Sequence, residues 1–113
     1  MVARNKLYAA PPYAVEQAIK KLGENLRTAR LRRNLTIAEV AQKIGTGPRA
    51  IRDAEKGKPT TGIAVFAALL WTFDLVGQME AVADPSKDER GQTLAFSQGR
   101  KRSRRSGWMD DDF

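Results

Sequence analysis

Arg52 and Asp53 stand three and four residues after Arg49 and four and three residues before Lys56, a spacing that gathers them on one side of a helix. Guanidinium, carboxylate and ammonium groups in such a row can exchange hydrogen bonds with the edges of nucleic-acid bases, or can simply keep a helix face solvated. Other chemistry is scarce. The chain has no cysteine and no histidine, which excludes disulfides, thiolate chemistry, His-based metal sites and a Ser-His-Asp triad. Its carboxylates at Glu16, Glu24, Glu39, Asp53, Glu55, Asp74 and Glu80 are spread along the chain with cap, dipole or salt-bridge roles open to each, and no nucleophile has a base beside it in a recognisable motif. No catalytic residue, metal or cofactor is expected, and the chain is not read as an enzyme.

The stretch that must position the polar row runs from Thr36 to Gly57. It opens with Thr36 and Glu39, the T-x-x-E pattern of a capping box. Ile37, Val40, Ala41 and Ile44 then form one helical stripe. Gly45 follows, where a left-handed residue ends a helix without a Cβ penalty. Thr46 or Gly47 can cap the next helix, and Pro48 suits its first position, where a missing N–H costs nothing. Ile51 and Ala54 point inward and Gly57 stops the second helix. Small Ala41 and Ala54 let the two helices approach, while Ile44 and Ile51 fill the angle between them. This is the length and punctuation of a helix-turn-helix whose second helix enters a DNA major groove. A small helical domain with capped helices and a charged solvent face accounts for the same letters more plainly.

Charge favours the first account. The 113 residues hold 20 Lys or Arg against 13 Asp or Glu, a net of +7, which suits an anionic partner. Residues 1 to 83 carry 13 of the cations against 7 acids, and residues 84 to 113 carry 7 against 6. The excess therefore lies in the part expected to fold. Pro11 and Pro12 interrupt the N-terminal stretch before an apolar leader can form, and no run is long enough to span a membrane. A cytoplasmic protein is the expectation.

Three segments are expected. Residues 1 to 12 form an arm with Arg4 and Lys6, residues 13 to 83 a helical domain, and residues 84 to 113 a flexible basic and acidic tail. From Tyr13 to about Arg33, Val15, Ala18, Ile19, Leu22, Leu26 and Ala29 recur at helical spacing; Gly23 either weakens this helix or marks a bend near Leu22. Arg30, Arg32 and Arg33 suit its C-terminal dipole. The loop after Gly57 faintly suggests a phosphate-binding loop, but Arg52 and Pro59 stand where that motif needs Gly and Ser or Thr. Its threonines at 60 and 61 can cap the next helix. Residues 63 to 73 are apolar nearly all round, which requires burial on more than one side. Leu70, Trp71, Leu75 and Met79 are the expected dimer surface, with a generous monomer core as the alternative. A last short helix covers 75 to 83. In the tail, the basic run 99 to 105 is read first as an electrostatic tether, with a second DNA contact or a plain linker as alternatives. Trp108, Met109 and Phe113 bracket or adjoin an acidic run, the pattern of a peptide that docks on a partner and orders there.

Thr36, Glu39, Ala41, Ile44, Gly45, Ile51, Glu55 and Gly57, followed by Pro59 and the apolar stretch 63 to 75, resemble the lambda-repressor-like, Xre-type helix-turn-helix family over residues 22 to 83. The resemblance implies an all-α, compact five-helix domain that binds double-stranded DNA as a homodimer on a near-palindromic operator. It puts Gly47, Pro48, Arg49, Arg52 and Asp53 at groove-facing positions, with Arg49 and Arg52 reading guanine O6 and N7 and Asp53 either accepting from cytosine N4 or orienting an arginine. Where the family usually has a phosphate-binding Gln this chain has Ile37, so Lys43, Lys56 and Lys58 become candidate replacements. Glu55 reads as structural. Residues 68 to 75, the Ala83-Asp84-Pro85 end and the late Trp are also similar to HipB-type antitoxins, which implies a repressor that binds a HipA-type serine/threonine kinase toxin; a stand-alone Xre-type repressor is the alternative.

Overall fold

A computed structural model describes residues 5–104, which contain helices and no strand. Arg4, the last residue of the basic run at 105, Trp108, Met109 and Phe113 lie outside the described residues. The elements are α1 (Lys6–Ala9), α2 (Tyr13–Arg32), α3 (Ile37–Ile44), α4 (Pro48–Lys56), α5 (Ile63–Thr72), α6 (Val76–Glu80), a 3₁₀ turn (Pro85–Lys87) and α7 (Glu89–Arg104). The chain divides into two compact units, one ending at Met79 and one beginning at Glu80.

In the first unit, α2 to α6 supply the five helices, with the single turn α1 inside the expected arm. Leu26, Val40, Ile51, Leu69 and Phe73 are the largest fully buried side chains, so α2, α3, α4 and α5 share one core. Burying each is worth about 1.5 to 3 kcal/mol. The boundaries follow local signals. Glu39 N–H donates to Thr36 Oγ1 at 3.0 Å, and Thr36 N–H donates to Glu39 Oε1 at 2.8 Å, which completes the capping box of α3. Asn34 and Asp74 take φ of 55° and 62° where α2 and α5 end, a backbone state that their short polar side chains tolerate.

Two sequence expectations need correction. Gly23 does not bend or interrupt α2, which is continuous from Tyr13 to Arg32. It is buried because α4 passes close by: a Cβ there would lie 2.5 Å from the Ala54 carbonyl oxygen. The threonines at 60 and 61 do not cap α5. Gly62 occupies the N-cap and forms no side-chain cap bond.

In the second unit, Asp84 Oδ1 accepts from Ser86 N–H and Ser86 Oγ, both at 2.9 Å. The backbone bond first, then the hydroxyl bond, hold this carboxyl below its ordinary pKa. Their help to the turn is therefore complete above the ordinary carboxylate range and is lost as pH falls through the lowered value. Gln92 Nε2 donates to Pro85 O at 2.9 Å, fastening α7 to the turn. Residues 89 to 104, part of the expected tail, are thus helical. Leu94 and Phe96 are 47% and 70% exposed, in keeping with a segment whose composition cannot fill a core.

Glycine substitutions separate tight approach from open space. Gly57 has φ of 73°, and a Cβ would lie 2.6 Å from Lys20 Cα. Gly57→Ala is expected to cost more than ~1 to 2 kcal/mol, since left-handed strain alone is of that size. Gly77, inside α6 with nothing near its missing Cβ, is expected to gain about 0.4 to 1 kcal/mol as Gly77→Ala. Urea unfolding of both variants checks the contrast.

Candidate nucleic-acid interface

The turn between α3 and α4 is built by backbone requirements. Gly45 adopts φ of 80°, and its N–H and that of Thr46 both donate to Ala41 O at 2.9 Å, closing α3. Gly47, not Thr46, is the N-cap of α4, and its extended backbone leads into Pro48 at the first helical position. Ile51 and Ala54 are fully buried while Arg49, Arg52 and Lys56 are exposed. The helix therefore has one face committed to the core and one left to a partner.

A buried ion pair locks that orientation. Arg30 Nε donates to Glu55 Oε2 at 2.7 Å, and its Nη2 donates to Oε1 at 2.9 Å. Nη1 donates to Leu35 O at 2.9 Å, so the guanidinium joins α2, α4 and the chain entering α3. The two side chains are only 8% and 6% exposed. Hydrogen bonding to Glu55 raises the Arg30 pKa above its ordinary value; burial opposes the rise and the Glu55 charge adds to it. Because the shift is upward, the guanidinium's contribution is fully present below arginine's ordinary range and is lost only as pH rises through the raised value.

The cations and acid named from the sequence have different surroundings. Gly47 and Pro48 are exposed at the start of α4. Asp53 is bridged to Lys58, a lysine just past the helix, by a 3.5 Å contact. Lys43 Nζ stands over the Trp71 ring, 5.7 Å from its centroid, a contact worth about 0.5 to 1 kcal/mol at an exposed site. Of the expected dimer residues, Trp71 is 57% exposed. Leu70 belongs to the buried core, and Leu75 and Met79 pack against it half-buried. Leu70 thus has an intramolecular role because α5 turns it toward the other helices.

The sequence places Arg30 and Arg33 at the C-terminal dipole of α2, and Arg30 departs from that expectation by turning inward to Glu55 and Leu35 O. Arg33 does serve the end of α2, donating to Ala29 O, a last-turn carbonyl, at 2.9 Å, and it also donates to Phe73 O at 3.0 Å with its guanidinium 5.3 Å from the Phe73 ring. The available signal for Arg30 was its place four residues after Leu26, on the apolar stripe. A charge at a core position asks for a buried partner, and Glu55 was the acid with an unspecified one.

Residues 26–73 match a family model described as helix-turn-helix. No curated protein and no solved structure gives a match to the chain.

Removing one partner of the ion pair leaves an uncompensated buried charge. Arg30→Met and Glu55→Leu are each expected to cost about 3 to 5 kcal/mol in urea unfolding, while the double variant recovers most of the loss. Additive losses would mean that the two side chains act independently.

Proposed function

The chain carries a lambda-repressor-like, Xre-type helix-turn-helix domain that makes it a DNA-binding regulator of that type, and on this premise we propose that it is a sequence-specific, dimeric transcriptional repressor in the cytoplasm. The carrying observation is the division of α4: Ile51 and Ala54 are wholly buried, and Arg49, Arg52 and Lys56 are exposed on the other side. With α4 in a major groove, the fork of Arg49 or Arg52 reaches guanine O6 and N7. Lys56 and Lys58 contact phosphates, which fix register without reading sequence. Lys43 joins them only by leaving Trp71. Asp53 accepts from a base only at the expense of its bridge to Lys58.

Two copies read a near-palindrome. The dimer reading is supported by exposed apolar residues on α5, where Ile63 is 70% exposed and Trp71 is 57% exposed eight residues on, two helical turns along one side. A finer reading makes the chain a HipB-like antitoxin of a toxin-antitoxin operon, with Trp108, Met109 and Phe113 docking on a HipA-type kinase. It is supported by the resemblance of residues 68 to 75 and by the amphipathic end of the tail. A stand-alone repressor needs no such partner.

A titration against the chain's own upstream DNA, with random DNA as competitor at two salt concentrations, tests the reading. Operator binding is expected to exceed random binding. Arg49→Ala combined with Arg52→Ala should remove that preference, at about 1 to 3 kcal/mol for each bidentate pair lost. Equal affinity of the wild type for both DNAs would end the base-reading role. Co-purification of a kinase that is lost on deleting residues 107 to 113 would favour the antitoxin reading, and its absence the stand-alone repressor.

A further inference from the structure

Between α2 and α4 lies a notch of about 290 Å³ lined by Arg27, Arg30, Ile37, Arg52, Glu55 and Lys56. Four of these six residues are cationic and one is acidic. That acid, Glu55, already accepts two bonds from Arg30, so the pair is electrically satisfied within itself. Arg27, Arg52 and Lys56 are all exposed and converge on the same space from two helices. On α4 the last two stand four residues apart, an arrangement of like charges that costs a few tenths of a kcal/mol when no anion intervenes.

We propose that this notch seats one backbone phosphate of bound DNA, with Arg27 of α2 as its anchor and Arg52 and Lys56 closing over it from α4. The inference rests on the DNA-binding reading above and adds to it a contact made from outside the helix-turn-helix. Three features favour a phosphodiester of the duplex. The notch is open, it is cationic, and it adjoins the outward face of α4, so DNA lying against Arg49 and Arg52 brings its backbone past the rim. The apolar Ile37 side chain offers that phosphate no hydrogen bond from the start of α3, and Arg27 supplies one from the other side of the space. Arg27 also fixes how α2 meets the duplex, since a planar fork holds a phosphate in one orientation. Arg52 is then divided between two uses: a phosphate in the notch competes with any base it reads, which leaves Arg49 as the principal base reader.

The test compares full-length wild type, Arg27→Gln and the control Arg32→Gln. Arg32 is exposed on the same helix and does not line the notch. Binding to the upstream duplex and to a random duplex is measured across a salt series. Arg27→Gln is expected to weaken both by the same factor, about threefold to tenfold, and to reduce the salt slope by about one, while Arg32→Gln leaves both unchanged. An Arg27→Gln variant that binds both duplexes like wild type would overturn the proposal and leave the DNA-binding reading intact. So would a loss confined to the upstream duplex. Wild type that binds neither duplex would remove both. Inorganic phosphate at constant ionic strength is expected to leave the melting temperature unchanged; a rise in wild type that is absent from Arg27→Gln would assign the notch to the free anion and overturn the duplex contact.

Discussion

The Arg30–Glu55 pair is the constraint from which the rest of the first unit follows. It is bidentate, almost fully buried, and extended by a third bond to Leu35 O. Breaking it from either side strands a charge in the core. Its directional value is as important as its energy. A hydrophobic contact tolerates rotation of a helix by a few degrees, but a fork on a carboxylate does not. A nine-residue helix whose only buried apolar residues are Ile51 and Ala54 needs such a fixed point, because its apolar anchorage is small.

Close backbone approach completes the lock. Gly23 admits the carbonyls of Ala54 and Glu55, and Gly57 admits the backbone at Ile19 and Lys20. The two glycines bring the C-terminal end of α4 against α2, and that nearness accompanies the reach of Arg30 to Glu55. The same closeness gathers Arg27, Arg52 and Lys56 around one notch. Stability and charge placement therefore have one origin, the crossing of α2 and α4. Elsewhere, cations that seemed free on composition are partly engaged, with Lys43 over Trp71 and Lys58 beside Asp53.

What could be read from the sequence is what local physics determines. The Thr36 and Glu39 box, the left-handed Gly45 and Gly57, and Pro48 opening α4 each act over a few residues, and each is formed as the letters suggest. Inward Ile51 and Ala54 followed from period alone. Contacts across the chain were not legible in that way. Arg30 and Glu55 are separated by 25 residues, and only the charge on an apolar stripe hinted at a partner. Gly23 looked like a weakness because propensity records its cost within a helix and not the helix packed against it. The helix of residues 89 to 104 was missed because composition reports whether a segment can bury a core, not whether it can form backbone hydrogen bonds while exposed. On the site, the outward set on α4 was foreseen and Arg27 was not, since nothing in its own helix marks it apart from its neighbours.

The central claim is that α4, held by α2, offers its outer face to DNA. The most direct measurement is a map of backbone amide shifts in the isotope-labelled protein as its upstream duplex is added. The account predicts that the largest changes fall on residues 47 to 58 and at Arg27, with the core residues of α5 little affected. Changes concentrated on the exposed side of α5 around Ile63 and Trp71, with α4 unmoved, would contradict it.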